Sequence, residues 1–525
     1  MNEPSRVNRA LARVRGRWPE GAILLAYTVA LVILAWHHEL WRDEVRALNI
    51  AAGSHSLGEL ISNLQNEGHP ILWYLLLSAG YDLTGSMLVL KPIAILIAVG
   101  AALIFLRWAP FPRWFKALFL CGQLPLYEYA VMCRNYGISM LLTFAAAALY
   151  GQRGRRPLTF ALCLALLCNT NGPSCILAVA WLVVIVAERG LVRPPEGARG
   201  PGIGRVALAA GIVAAGLTLA IRVSWPDSTS VVFRRHDLAE IGRALVTASA
   251  SLMRAHRGAF GISDELFLNA MFYLLVASFL GRPWLALGLA TAGVGFALFP
   301  LLVYPFLLRH SGLLVIFGIA LTWIEKGAGP VLRFGPRLDA LVGVLASRRG
   351  VAVALFLMLQ AALGLETAER DLAATVSGTA ELGAFLRREP ELRNAIVVAE
   401  PEPQIEALPY YAPNPVFLVR ERRYLVRVNF TTLSQRRITL DEMDALASGL
   451  GRQTGRPVVF AFGYPLAAGG PFEHTTAVGQ VFSYSPESLR RFAAHTTALR
   501  IFRGELGDEN FYVYRTNPER TPDGR

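Results

Sequence analysis

Four short polar clusters interrupt long apolar stretches of this chain. Trp41-Arg42-Asp43-Glu44 follows the first apolar run, and Glu67-Gly68-His69-Pro70-Ile71-Leu72-Trp73-Tyr74 closes the same connection. Arg134-Asn135-Tyr136-Gly137 stands between two later runs, and Arg309-His310 opens another in YPFLLRHSGLL. Carboxylates at an apolar boundary are costly unless solvated or paired, and they mark functional sites by default. Each residue also has a plain alternative. Asp43 suits a solvated helix start, where an acid complements the helix dipole. Arg134 and Arg309 suit the snorkelling anchors of helix ends. His69 suits the start of an interfacial helix. Lys91 and Glu128, both inside apolar runs, suit a mutual ion pair. His37, His38 and Glu39 suggest a metal, but adjacent histidines do not share a helix face and no further ligand follows at a metal-like spacing.

The elements that must position these residues are membrane spans. Of 525 residues, 54% are hydrophobic and 17% charged, whereas a soluble domain carries about a quarter charged residues. Gly21–Trp36, Pro92–Leu106 and Leu313–Ile324 hold no charge at all. Spans are expected near 20–36, 87–106, 114–132, 135–150, 158–169, 173–187, 206–222, 266–280, 285–303, 311–324 and 350–366, about eleven in all. The net charge of +13 follows this layout. Arg6, Arg9, Arg13, Arg15 and Arg17 precede the first span. Arg107, Arg113, Lys116, Arg153, Arg155, Arg156, Arg189, Arg193, Arg199, Arg205, Arg282, Lys326, Arg333, Arg337, Arg348 and Arg349 fall in alternate connections. Cytoplasmic loops collect Lys and Arg, so topology accounts for the basic charge and nucleic acid is not needed. The N-terminus is then cytoplasmic, and an odd number of spans exports the tail. The first apolar run is too long for a signal peptide and lacks a small-residue cleavage site. Cys121, Cys133, Cys163, Cys168 and Cys175 lie in or beside spans, with neither a disulfide framework nor a zinc spacing.

The expected domains are a basic cytoplasmic head over 1–19, an all-α polytopic membrane domain over 20–366, and a small extracytoplasmic α/β or α+β domain over 367–525. Two outer connections are long, 37–86 and about Val223 to Glu265, and long ordered connections are usually functional. The first contains helical spacing over Asp43–Ala52, and again over Ser56–Leu64 with Ser56 as N-cap. His69–Ala79 is apolar but too short to span. Arg193–Gly204 is a Pro/Gly-rich link. In the tail, strands are expected at Ala395–Ala399, Val416–Val419, Tyr424–Val428, Pro457–Phe462 and Phe511–Tyr514, with helices at Pro403–Tyr411, Leu440–Leu450 and Pro486–Thr497. No phosphate loop or catalytic triad is visible there.

The order of these motifs, with the span layout and the exported tail, resembles the GT-C class of membrane glycosyltransferases. The likeness is greatest to the branch holding protein O-mannosyltransferases and the lipid A aminoarabinose transferase. That branch has an Asp-Glu pair in the first outer loop and a later His-Pro or Lys-Pro before an aromatic, apolar helix. The resemblance covers roughly 20–370. This chain has one proline, in His69-Pro70-Ile71, where two are frequent, and its tail has no recognisable sugar-binding module.

The resemblance implies a polyprenyl-phosphate-linked sugar as donor and a lipid, glycan or protein hydroxyl as acceptor, at the outer face of the inner membrane and with inversion. Asp43 would be the base and Glu44 a group behind it or one that binds substrate. His69, Arg134, Arg309 and His310, with Tyr136 beside them, would serve the leaving phosphate, and Lys91 is a further candidate. No cofactor is fixed, and a divalent metal is left open. Other readings are a ligase or polymerase of lipid-linked glycans, a transporter or flippase, for which internal repeats are expected and none is found, and a non-catalytic assembly protein.

Overall fold

The computed structural model describes residues 18–192, 202–231, 237, 239–244, 272–326, 332–467 and 470–517. The basic head, most of the Arg193–Gly204 link, most of the second long connection and the first residues of the expected 266–280 span lie outside the described residues.

Apolar composition writes the membrane part directly. Helix α1 is Trp18–His37. After the first connection come α5 (Leu90–Trp108), α6 (Arg113–Leu120), α7 (Tyr136–Tyr150), α8 (Pro157–Cys168), α9 (Gly172–Leu191) and α10 (Ile203–Ser224). The series ends with α11 (Pro283–Leu302), α12 (Leu308–Glu325) and α13 (Pro336–Ala373). Among the described residues seven helices are long and apolar enough to cross a membrane, and α7 and α8 are shorter apolar helices. A span needs about 20 residues, so the 38 residues of α13 reach well past the expected 350–366 at both ends.

The expected span at 114–132 is not one helix. It breaks after α6, and Leu124–Val131 is wound with the wider π-helical turn. One feature of the sequence and one of the packing coincide with the break. Pro125 removes a backbone donor, and α13 crosses here at very close range. A Cβ added to Gly364 would lie 2.3 Å from the Cys121 carbonyl oxygen.

The first long connection, 37–86, folds into three helices, α2 (Arg42–Ala52), α3 (Leu57–Asn63) and α4 (Leu72–Thr84). Ser56 caps α3 by accepting from the Glu59 N–H at 3.2 Å. The buried faces of α2 and α4 form a separate apolar cluster with Leu60, Leu64, Leu90 and Ala407 of the tail. The connection is therefore packed on both sides.

The tail starts with α14 (Thr379–Arg388), which the sequence reading omitted. Strands β1 (Ile396–Glu400) and β5 (Val458–Phe462) pair in parallel, and β9 (Phe511–Thr516) and β8 (Thr496–Phe502) continue the sheet antiparallel, giving the order β1-β5-β9-β8. Alternate residues face opposite ways. Val397, Ala399, Val459 and Ala461 meet α14, while Ile396, Val398, Phe460 and Phe462 meet a second core with Met443 and Phe492. The expected helix at Pro403–Tyr411 is a 3-10 turn, Glu402–Ile405, and a single α turn, Leu408–Tyr411. The domain is a mixed α/β fold covering one end of the membrane bundle.

Candidate active site

A cavity of about 330 Å³ lies where the first connection, the Arg134 turn and the tail meet. On α2, Asp43, Arg46 and Ala47 line it. Their spacing of three and four residues puts them on one helix face, while Val45, Leu48 and Ala51 are buried on others. His69 and Trp73 line it from the start of α4, Arg134 and Asn135 from the turn before α7, and Phe430 and Val478 from the tail. Gly68 holds the left-handed conformation before His69, with φ +70°, which a side chain there would strain.

Asp43 is held by two guanidiniums. Arg134 Nη1 donates to Asp43 Oδ2 at 2.6 Å, and Arg309 Nη2 lies 3.6 Å from the same oxygen. Burial pushes the Asp43 carboxyl up, but Arg134, Arg309 and Arg42 outweigh it and hold it down at about 2. Burial and the Arg134 charge bring the His69 imidazole down to about 4, despite Glu67 and Asp43. His69 is therefore neutral near pH 7, and its Nδ1 is buried without a hydrogen-bond partner.

The other candidates stand further back. Glu44 points away from the cavity and is fully buried. It accepts from Cys133 N–H at 2.7 Å, Trp41 N–H at 3.3 Å and His38 Nε2 at 3.0 Å. His38 Nδ1 meets Asp371 Oδ1 at 2.9 Å, and Tyr127 donates to that oxygen at 2.8 Å. Burial lowers the His38 pKa, but the carboxylates of Glu44 and Asp371 raise it further, to about 10. An imidazolium thus bridges α1, α2 and α13. Lys91 does not pair with Glu128. It donates to the His38 carbonyl oxygen at 2.7 Å, so its cation is part of the same support. Tyr136 stacks on Tyr129 and meets His310 edge-on. His310 Nδ1 accepts from the Leu307 N–H at 2.8 Å and its ring stacks on Phe306. Tyr136 and His310 therefore form the aromatic backing of Arg309, whose carbonyl oxygen accepts from Tyr129 at 2.8 Å.

The sequence reading missed Arg46 and the tail residues. Arg46 makes a two-pronged bond to Glu67, with Nε and Nη2 at 3.0 and 2.6 Å, and reaches Glu406 with Nη1 at 2.6 and 2.8 Å. Arg427 adds a bond to Glu67 at 3.0 Å. One turn earlier, at the start of α2, Arg42 pairs with Asp508, and its backbone N–H donates to Glu509 at 2.8 Å. The first turns of the helix carrying Asp43 are thus clamped to the tail at two points. Arg46 was findable, three residues after Asp43 on one face. Phe430 and Val478 carried no signal, since only the docking of the tail brings them here. Among the described residues no three His, Cys, Asp or Glu side chains are placed to hold a metal ion.

No family model matches the chain, and no curated protein does. The chain is similar to one solved structure, ArnT from Cupriavidus metallidurans bound to undecaprenyl phosphate. The match has 13% identity and a TM-score of 0.47, and covers 96% of this chain and 99% of that one.

Proposed function

We propose that the protein is a glycosyltransferase that moves a sugar from a polyprenyl-phosphate donor to an acceptor hydroxyl at the outer face of the inner membrane, inverting the anomeric carbon. The observation that carries this reading is Asp43 held between Arg134 and Arg309 at a small cavity beside apolar spans. A carboxylate base with two cations is what displacement of a phosphate leaving group requires. The motif resemblance in the first outer loop supports it.

In the resting protein Asp43 is a poor base, because the guanidiniums hold its charge. The donor phosphate competes for Arg134 and Arg309, whose forks suit phosphate. Once they turn to phosphate, Asp43 loses its partners and gains basicity. The acceptor oxygen then attacks the anomeric carbon, the bond from that carbon to the phosphate oxygen breaks, and Asp43 takes the hydroxyl proton. Charge building on the leaving phosphate is met by the two arginines. The acceptor is a lipid, glycan or protein of the cell envelope, and the tail is periplasmic. The cavity is near the small end of the range of about 300–1,000 Å³ for ligand pockets, which suits one sugar unit.

The test supplies purified protein with labelled polyprenyl-phosphate sugars and envelope acceptors. Release of polyprenyl phosphate with label in the acceptor supports the reading. Donor movement across vesicles without bond cleavage would replace it with a flippase.

A further inference from the structure

One residue of the cavity wall carries a hydroxyl that the protein itself does not use. Tyr74 stands in the first turn of α4, only 3% exposed, and its ring packs in the apolar cluster of α2 and α4. The Leu72 N–H donates to the Asn169 carbonyl oxygen at 2.9 Å, which ties this turn to the end of α8. The ring is therefore held by the fold, and Tyr74 also lines the cavity.

A buried tyrosine hydroxyl usually finds a partner. Among the described residues the Tyr74 hydroxyl has none, yet it is not sealed off in the way the unbonded Tyr136 hydroxyl is. Burial, and then the Glu67 charge, push the Tyr74 phenol above its ordinary value, so it keeps its proton. Glu67 makes no bond to it. Arg46 holds Glu67 at both oxygens, and Arg427 adds a third bond. A polyprenyl chain has no hydrogen-bonding atom, and the phosphate has Arg134 and Arg309. The part of the donor left for a phenol is the sugar, whose hydroxyls donate and accept as a phenol does. Phe430 and Val478 add apolar wall, which suits the C–H face of a ring.

We propose that Tyr74 is a sugar-binding residue, whose hydroxyl makes a hydrogen bond with one ring hydroxyl of the sugar on the polyprenyl phosphate. This rests on the transferase reading above.

The experiment measures binding to the full-length protein in lipid nanodiscs, by displacement of a fluorescent polyprenyl phosphate. The probes are the polyprenyl phosphodiesters of glucose, mannose and galactose, and every monodeoxy form of whichever binds tightest. Tyr74→Phe removes the hydroxyl and keeps the ring that packs. In wild type, one monodeoxy form should bind about two- to tenfold more weakly than its parent sugar, the range for one neutral hydrogen bond. In Tyr74→Phe the parent should weaken by that factor and the same monodeoxy form should not, because the pair is already broken. Binding of unsubstituted polyprenyl phosphate should stay unchanged. A merely structural tyrosine would weaken all the diesters alike. A parent sugar held by Tyr74→Phe as tightly as by wild type, or a loss that every monodeoxy form shares, overturns the inference and leaves the transferase reading standing. If polyprenyl phosphate displaces the probe and no sugar diester does, the transferase reading falls and this inference falls with it.

Discussion

The Cys133 N–H donates to Glu44 Oε1 at 2.7 Å, so a fully buried carboxylate on α2 fixes the turn that aims Arg134 at Asp43. The Asp-Glu pair thus divides its labour, with Asp43 facing the cavity and Glu44 facing the protein. Glu44→Ala leaves the Cys133 N–H unpaired and strips His38 of one of its two carboxylates. Losing one partner of a buried ion pair costs about 3–5 kcal/mol, so the variant should melt well below wild type. Glu44→Gln keeps an acceptor for Cys133 and should be milder in both melting temperature and transfer. A Glu44→Gln protein that melts like wild type but transfers nothing would give Glu44 a direct part in the reaction.

The His38 bridge predicts a pH dependence of stability. Its folded pKa of about 10 lies above the ordinary 6.5. The protonated form is thus favoured by folding. The stability it contributes is full below about 6.5, falls as pH rises, and is gone once pH passes about 10. His38→Gln removes this contribution. The melting curves of wild type and His38→Gln should differ most at pH 6 and approach each other toward pH 10. A gap that stays constant over this range refutes the charged bridge between Glu44 and Asp371.

The clamp between α2 and the tail makes a second structural claim. Glu406 is buried and holds Arg46 Nη1 through both oxygens, while accepting from the Val428 N–H at 2.7 Å. Glu406→Ala leaves part of a buried guanidinium unpaired, a loss of about 3–5 kcal/mol. The tail should then become more open to protease, and transfer should drop because Phe430 and Val478 no longer close the cavity. Limited proteolysis beside a transfer assay decides it. A tail as resistant as in wild type, with activity intact, means the clamp is redundant.

The sequence showed Asp43, His69 and Arg134 because charge beside an apolar run is locally conspicuous. It also showed where α2 and α3 form, since Val45, Leu48 and Leu60 repeat at helical spacing and Ser56 caps. It did not show that Glu44 and Lys91 serve His38, because Asp371 is more than three hundred residues away and the bridge exists only after α13 packs. The break at Cys121–Gln123 had its proline in view, but the need for Gly364 at the crossing is a property of two helices together. The tail hid its short strands, such as β4 (Arg437–Thr439) and β6 (Phe472–Thr475), because three or four residues give too little alternation to read.

The sharpest prediction concerns Asp43 itself. Its carboxyl is held at about 2, below the ordinary 3.8. The free enzyme therefore keeps it ionised across the whole working range, and kcat/KM, which reports the free enzyme, should show no acid limb from it down to about pH 4. The rate kcat reports the donor complex, where the guanidiniums have turned to phosphate, so an acid limb should appear there at a higher pH. Asp43→Asn keeps the shape, removes the base and leaves Arg134 and Arg309 without an anion. Transfer should be abolished, while polyprenyl phosphate binds at least as tightly as in wild type, since the phosphate no longer displaces a carboxylate. Arg134→Ala should do the opposite, weakening both binding and turnover, with a rate loss of about 10²–10³. Arg309, farther from Asp43 at 3.6 Å, should cost less when changed to Ala. The measurements are transfer rates and lipid affinities for the three variants, each first checked to be monodisperse. Weaker lipid binding in Asp43→Asn would mean that Asp43 does not compete with phosphate. Full transfer by that variant would end its role as the base.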